Sequence, residues 1–194
     1  MIHRIMVGHM LGDGHIAKTD RGNSYFTIHR KAEHHEYNLW TKNILLDNGF
    51  TVTNTYPKLR QSCGCNNFPS SYLRTSRERF WSEQRSLWYK NGQKILPKKY
   101  VEKNFNDLSF MLWFLDDGDS DGRISTDSFS KKDIIFLRDL INRRYKIRFN
   151  IHYQHDRPQH NILKCPKKKR GELSAIFQSL SISIPCMSYK LNWT

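Results

Sequence analysis

Two short stretches of the chain resemble each other, and each ends in an aspartate followed by a glycine. They are residues 6–14, with the sequence MVGHMLGDG, and residues 110–118, with the sequence FMLWFLDDG. Each is an apolar run of helical length that stops at a carboxylate and a helix-ending glycine. Asp13 and Asp117, the last carboxylates of the two stretches, lie about half a chain length apart.

This spacing favours a chemical role for the two carboxylates. A chain built of two similar halves can bring both helices side by side, so that Asp13 and Asp117 meet at one end of the helix pair. Paired carboxylates on a basic protein indicate divalent metal ions acting on a phosphodiester. The alternative is that both are ordinary helix-end carboxylates that bind no metal.

The composition indicates a phosphate polyanion as the partner. The chain has 194 residues, enough for one compact domain or two fused half-domains. Its formal net charge is +14, with Lys and Arg spread along the whole length, and its aromatic content of 13% leaves room for a core. An anionic membrane is the weaker interpretation, because no stretch of about 18 apolar residues exists to span a bilayer.

Cysteine and histidine usage does not favour a zinc site. Cys63 and Cys65 are too close together for an ordinary zinc pair, and neither Cys165 nor Cys186 supplies a second pair. The nine histidines lack a matching carboxylate or cysteine pattern, so we expect them at the surface or facing DNA. The N-terminus shows no basic-then-apolar signal. We expect reduced thiols in the cytoplasm or nucleoid of a prokaryotic or phage-infected cell, or in an organelle matrix, and no secretion.

The elements that must position the carboxylates follow the same order in both halves. In the first half we predict a helix ending at Asp13, a hairpin over 15–30, a helix over 33–48, a hairpin over 51–60 and 69–75, and a helix over 78–90. In the second half we predict a helix over 108–117, a short hairpin over 119–128, a helix over 131–145, strands over 147–155 and 160–165, and a helix over 171–180. A lysine follows each carboxylate by a similar distance, Lys94 in the first half and Lys190 in the second. Between Lys94 and Leu108 we predict a linker with a short irregular turn.

The predicted strand over 147–154 alternates apolar and polar residues. Its apolar positions would face the helices, and Arg148, Asn150, His152 and Gln154 would face away. These four side chains are of the types that read base edges and hold phosphates. The alternative is a solvated face, and the high positive charge of the chain favours the DNA interpretation.

The repeat resembles the LAGLIDADG homing endonucleases, specifically the monomeric kind with two motifs per chain, over nearly the whole length. Gly8, Gly12, Asp13 and Gly14 retain the first motif, and residues 116–118 retain the second. Residues 94–97 and 187–191 look like the basic active-site segments of compact intron-encoded members. The departures are His9 and Trp113, which take apolar positions of the two motif helices, and a shorter first hairpin in the second half, which predicts a smaller contact surface there.

The resemblance implies an α+β fold of two pseudo-symmetric αββαββα half-domains that pack through the motif helices, with antiparallel sheets forming a DNA-binding saddle. We place the half-domains at 1–92 and 107–194, joined by a linker over 93–106. The motif helices are expected to pack closely through small residues such as Gly8.

The resemblance also implies the roles of individual residues. Asp13 and Asp117, with the backbone carbonyls of Gly12 and Asp116, would hold Mg²⁺, for which Mn²⁺ would substitute. Lys94 and Lys190 would act in catalysis by neutralising phosphate charge or orienting water. The implied DNA contacts are His29, Arg60, Tyr72, Arg74, Arg123, Ser125, Arg148, Asn150, His152, Gln154 and Lys164.

The function implied is a monomeric, site-specific endonuclease that makes a double-strand break in a long, asymmetric DNA target and so starts intron mobility. One alternative is an RNA-binding intron maturase, with intron RNA as the partner, or a non-cleaving DNA-binding protein of the same fold. Intact carboxylates in both motifs favour cutting, although a maturase can retain them. A generic basic nucleic-acid chaperone is a third alternative, but it does not explain the half-chain repeat.

Overall fold

A computed structural model of the protein describes residues 1–20, 22–53, 58–61, 69–154, 157–191 and 193. For residues 58–61, 153–154 and 157–160 it describes the backbone alone. The predicted loop containing Cys63 and Cys65 lies outside the described residues. Among those described, no helix is both long enough and apolar enough to cross a bilayer.

The first half contains four α-helices and six strands within the described residues. They are α1 (Ile2–Leu11), β1 (His15–Lys18), β2 (Ser24–Lys31), α2 (His35–Asp47), β3 (Lys58–Gln61), β4 (Pro69–Arg74), α3 (Arg79–Trp88), β5 (Tyr89–Lys90), β6 (Gln93–Lys94) and α4 (Lys98–Asn104). A short 3₁₀ helix, Ala32–His34, leads into α2. Strands β1, β2, β4 and β3 form an antiparallel sheet in that order, and β5 and β6 form a small separate hairpin.

The second half repeats this plan with fewer strands. Its elements are α5 (Asp107–Asp117), β7 (Arg123–Ser125), α6 (Lys131–Tyr145), β8 (Asn150–Gln154), β9 (Arg157–Lys164) and α7 (Arg170–Gln178), with 3₁₀ helices at Lys167–Lys169 and Pro185–Lys190. The antiparallel sheet has the order β7-β9-β8. The structure confirms the predicted α+β fold of two pseudo-symmetric halves with antiparallel sheets.

The two motif helices, α1 and α5, pack against each other at the centre of the molecule. A β-carbon placed on Gly8 would lie 2.7 Å from Cβ of Leu112 and 2.8 Å from the carbonyl oxygen of Ser109. Both distances are shorter than real β-carbons tolerate, so glycine is required for this close approach. The prediction that these helices pack closely through Gly8 is confirmed.

The first hairpin of the second half is shorter than predicted. Only β7 forms a strand there, and its expected partner is reduced to a single bridge between Gly118 and Ile124. The reason is the turn that follows α5 at once, in which Asp119 Oδ1 accepts hydrogen bonds from the backbone of Asp121 and Arg123. This turn leaves no residues for a first strand, and β7 pairs with β9 instead.

Two further segments differ from the sequence-based expectation. The predicted irregular linker contains α4, which begins after Pro97 and buries Val101 in the core, and Phe105, which caps the helix, is buried beside it. Strand β8 begins at Asn150, although burial already alternates from Ile147. Its partner β9 ends at Lys164, opposite Asn150, so residues 147–149 have no strand to pair with.

Candidate active site at the ends of the motif helices

Asp13 and Asp117 lie at the same end of the paired helices. Asp117 is the last residue of α5, and Asp13 follows the end of α1 by two residues. The glycine after each aspartate lies against its own helix: a β-carbon on Gly14 would be 2.6 Å from the carbonyl oxygen of His9, and one on Gly118 would overlap the carbonyl of Phe114. Glycine in these positions lets the chain turn sharply so that both carboxylates meet at the helix ends.

Both carboxylates are harder to ionise than a free aspartate. Burial, followed by the negative charge of Asp116, raises the pKa of Asp13 to about 6, although its side chain remains 38% exposed. Burial and the charges of Asp13 and Asp116 raise the pKa of Asp117 well above its usual range. Within the described residues, Asp117 has no ion pair or side-chain hydrogen bond. A cation placed beside these two carboxylates would therefore stabilise their charged forms.

Two lysines, Lys190 buried and Lys94 partly buried, bind backbone carbonyls that lie close to the motif carboxylates in the chain. Lys94 Nζ donates to the carbonyl oxygens of Gly12 at 3.2 Å and Gly14 at 3.3 Å. Lys190 Nζ donates to the carbonyl oxygens of Leu115 at 2.6 Å and Asp116 at 3.1 Å. Gly12 and Asp116 each precede a motif carboxylate by one residue, so the two lysines are in pseudo-equivalent positions.

Two opposing effects act on the pKa of each lysine. Burial lowers the pKa of both ammonium groups, and the nearby aspartates partly oppose this shift. Asp117 is the main carboxylate acting on Lys94, and Asp116 is the main one acting on Lys190. Each carbonyl that the resemblance assigns to a metal ion accepts a hydrogen bond from lysine in this structure.

The side chain of Asp116 takes part in a buried network that joins the two halves. Asp116 Oδ1 accepts a hydrogen bond from Arg30 Nη2 at 2.6 Å, and Asp116 Oδ2 lies 2.9 Å from Nδ1 of His9. None of the Asp116 side chain is exposed. The Arg30 guanidinium and the His9 imidazole hold the pKa of this carboxyl well below its usual range, in spite of burial.

The two partners of Asp116 come from the first half. Arg30 lies on β2, donates to Asn38 Oδ1, and has its Cζ 3.8 Å from the centre of the Tyr37 ring. Burial lowers the pKa of His9, and the Asp116 carboxylate opposes this shift. Because an ionised carboxylate only accepts hydrogen bonds, the His9 contact places a proton on Nδ1. The Nε of Arg30 is buried with no hydrogen-bond partner among the described residues and lies 3.9 Å from Asp13 Oδ2.

Sequence reasoning did not identify Arg30 as a site residue, although a signal for it exists. Phe26, Ile28 and Arg30 alternate along β2 and therefore face the core together. An arginine in that register needs a buried partner of opposite charge. His9 carried a similar signal, because it occupies an apolar position of the first motif helix.

An open cavity of about 580 Å³ lies beside this network. Its lining includes Asp13, Arg30, Asp116, Lys190, His29 and Tyr189. Within the described part of the chain, no group of three or more His, Cys, Asp or Glu side chains is arranged to hold a metal ion.

Most of the predicted DNA contacts that the structure describes lie at exposed positions. The exposed ones are His29, Arg123, Ser125, Arg148, Asn150 and His152. Arg74 and Lys164 are partly buried, and Tyr72 is only 8% exposed, with its ring centre 4.3 Å from that of His29. The side chains of Arg60 and Gln154 lie outside the described residues.

The chain resembles curated proteins from two yeasts. The cytochrome b mRNA maturase bI2 of Debaryomyces hansenii is 24% identical over 193 residues, a match that covers 96% of this chain and 72% of the relative. The protein of the same name from Saccharomyces cerevisiae is 26% identical over 199 residues, a match that covers 96% of this chain and 46% of the relative.

Solved structures share the fold. The homing endonuclease I-WcaI bound to its DNA recognition sequence superposes with a TM-score of 0.78 at 19% identity, covering 99% of this chain and 86% of that one. I-DmoI in complex with DNA and Mn superposes with a TM-score of 0.60 at 16% identity, covering 92% of this chain and 96% of that one.

The model of the LAGLIDADG DNA endonuclease family matches residues 3–170. This match spans nearly all of α1, all of α5 and all the described strands of both sheets. The chain therefore belongs to the LAGLIDADG DNA endonuclease family, as a single chain with two motifs.

Proposed function

We propose that this protein is a site-specific DNA endonuclease that makes a metal-dependent double-strand break in a long, asymmetric target and so starts intron mobility. The observation that carries the proposal is the pair Asp13 and Asp117, which lie at equivalent helix ends and both have a raised pKa. The DNA-bound structures of I-WcaI and I-DmoI support DNA as the substrate.

The residues at the helix ends fit a divalent cation. Carboxylate oxygens are ligands that Mg²⁺ and Mn²⁺ accept, and Asp13 and Asp117 carry charge that burial leaves poorly compensated. A bound ion would supply activation of the attacking water and stabilisation of the leaving oxygen. Further ligands would come from DNA phosphate, water or the helix-end carbonyls. Lys94 would have to release Gly12, and Lys190 would have to release Asp116, before those carbonyls could bind metal.

Lys94 and Lys190 would act on the phosphate at the two half-sites. Each ammonium group already lies at a helix end, where it donates to the backbone carbonyl that precedes a motif carboxylate. A short movement away from the carbonyls would place positive charge where negative charge develops on the scissile phosphate. Because both lysines already lie at the helix ends, only this release of the carbonyls would be needed before they act.

The exposed polar residues of the two sheets would bind the DNA. Arg148, Asn150 and His152 alternate with the buried Ile147 and Phe149, so they present one continuous polar face. The described first-half sheet has four strands and the second has three. We infer that the unequal sheets read unlike half-sites as a monomer, and that the half-domains span 1–92 and 107–194.

A maturase is the second candidate function, and one observation favours it. Both yeast relatives are named as maturases of a cytochrome b messenger RNA. This naming supports an organelle matrix as the compartment and intron RNA as an additional partner. Asp13→Asn and Asp117→Asn variants that still promoted splicing of the precursor RNA would separate this activity from cleavage.

The decisive experiment for cleavage uses a duplex that carries the joined exon sequence of the host gene. We expect cutting of both strands at one position in Mg²⁺, none in EDTA, and binding without cutting in Ca²⁺. A duplex with the exon junction scrambled is the matched control. Binding of the intact duplex without cutting in either Mg²⁺ or Mn²⁺ would overturn the endonuclease proposal and leave the binding-protein alternative.

A further inference from the structure

Arg30 contacts two carboxylates that belong to different halves of the molecule. Its Nη2 donates to Asp116 of the second half at 2.6 Å, and its Nε lies 3.9 Å from Asp13 of the first half. The Nε–H is buried and has no hydrogen-bond partner among the described residues. A planar guanidinium suits such bridging, because its donors have fixed directions.

Among the residues that the structure describes, the network exists at only one of the two pseudo-equivalent positions. Gly12 of the first motif corresponds to Asp116 of the second, since each precedes the motif carboxylate by one residue. A β-carbon on Gly12 would overlap Asp116, so the first helix has no room for a second acidic side chain. In the part of the chain that the structure describes, Asp117 has no arginine within ion-pair distance.

We propose that Arg30 is a positioning residue for Asp13 and that Asp116 holds Arg30 in place. Carboxylates that ligate a metal are commonly oriented by a further hydrogen-bond donor. The unpaired Nε–H of Arg30 needs only a small movement to become that donor. Asp116 meanwhile takes the stronger contact with the guanidinium, so Arg30 orients Asp13 without forming a tight ion pair that would compete with a cation.

This arrangement makes the two half-sites unequal. If each carboxylate serves one DNA strand, the loss of Arg30 affects the strand cut through Asp13 and spares the strand cut through Asp117. The inference rests on the proposed endonuclease function. If the network had a purely structural role, the loss of Arg30 would slow cleavage of both strands equally.

The test is a strand-resolved cleavage assay on the exon-junction duplex, with a different dye on each strand. Asp13→Asn and Asp117→Asn first establish which strand depends on which carboxylate. We expect Arg30→Met to slow the Asp13-dependent strand by about 10–100-fold, as for other supporting residues of metal ligands, so that nicked DNA accumulates. Asp116→Asn should slow the same strand, because Arg30 would then pair with Asp13 directly.

The double variant Arg30→Met/Asp116→Asn is the control for misfolding. Each single variant leaves one buried charge without its partner, whereas the double variant removes both. Its strand bias should match that of Arg30→Met, with an effect smaller than the product of the two single effects. Leu45→Ala, which removes a fully buried side chain from α2 in the same half, is the control for stability. It should lower the melting temperature without a strand bias.

A second readout does not depend on cleavage. Calorimetric titration of Ca²⁺ into the complex of protein and uncut duplex should show weaker binding for the double variant and for Asp13→Asn. Equal slowing of both strands by a folded double variant, or a bias matching Asp117→Asn, would overturn the inference. Failure of the unsubstituted protein to cut either strand would instead overturn the proposed function.

Discussion

Gly12 of the first motif helix lies directly against Asp116 of the second. A β-carbon on Gly12 would overlap Cβ of Asp116 and lie 3.0 Å from its Oδ2. The absence of a side chain at one residue therefore makes room for a buried carboxylate at the other. That carboxylate in turn holds Arg30 and His9, so this contact links helix packing to the charges of the site.

We expect Gly12→Ala to destabilise the protein because the added methyl group has no free space. Overpacking of this kind costs about 1–3 kcal/mol. Gly171→Ala is the matched control, because Gly171 lies in α7 and a β-carbon there meets nothing within 4 Å. Thermal unfolding should show a lower melting temperature for Gly12→Ala and an unchanged or higher one for Gly171→Ala. Equal melting temperatures would contradict the close packing.

The pKa values of the motif carboxylates predict how stability depends on pH. Burial raises the pKa of Asp13 from its ordinary value of 3.8 to about 6 in the folded protein. The folded state therefore binds more protons than the unfolded state between these values, and ionising Asp13 opposes folding as pH rises through that window. Asp117 acts in the same direction and extends the window to higher pH, because its pKa is also raised.

Replacing either carboxylate with asparagine should therefore raise the melting temperature at pH 8 and change it little at pH 4. Asp47→Asn, at the exposed end of α2, is the control for removing a negative charge elsewhere on the surface. Scanning calorimetry in metal-free buffer measures the difference. A stabilisation that was larger at pH 4 than at pH 8 would show that the sign of the assigned pKa shifts is wrong.

The repeat in the sequence predicted the paired helices, most of the strands, and the meeting of Asp13 and Asp117 at one end of the helix pair, because each follows from local spacing and the pseudo-symmetry. The expectation that Lys94 and Lys190 lie beside these carboxylates came from the resemblance to the family. The Arg30–Asp116 contact was not predicted, because it joins residues far apart in the chain and depends on how the halves dock. A short hairpin after Gly118 was predicted, but the loss of its first strand was not, since the side-chain hydrogen bonds of Asp119 set that turn.

Lys94 and Lys190 should contribute to the rate of cutting more than to DNA affinity. Lys190 is buried and Lys94 partly buried at the helix ends, and both already donate hydrogen bonds to backbone carbonyls. Replacing either with Met removes one stabilising charge, and loss of a preorganised donor slows a reaction by about 10²–10³-fold. Single-turnover rates and dissociation constants should be measured together, with the exposed Lys103→Met as the control. A large loss of affinity at an unchanged rate would make them ordinary phosphate contacts.

The polar face formed by Arg148, Asn150 and His152, which we expect to continue to Gln154, should read base pairs. A bidentate contact to a base edge discriminates by about 1–3 kcal/mol. Each Ala substitution should therefore relax preference at one or two neighbouring base pairs, measured by cleavage of all single-base variants of the target. Lys132→Ala on α6, an exposed lysine, should leave the profile unchanged. If the cleavage profile over the single-base target variants were unchanged for all four Ala substitutions, this face would be solvent-exposed without a role in base reading.

Asp13 and Asp117 are proposed to be required for DNA cleavage but not for DNA binding. The most direct measurement compares the unsubstituted protein with Asp13→Asn/Asp117→Asn on the exon-junction duplex, recording binding and cleavage in Mg²⁺ in the same samples. We predict double-strand cleavage by the unsubstituted protein, and no cleavage by the variant with affinity retained or increased, because removing negative charge near phosphate relieves repulsion. Full cleavage by the variant would contradict the account.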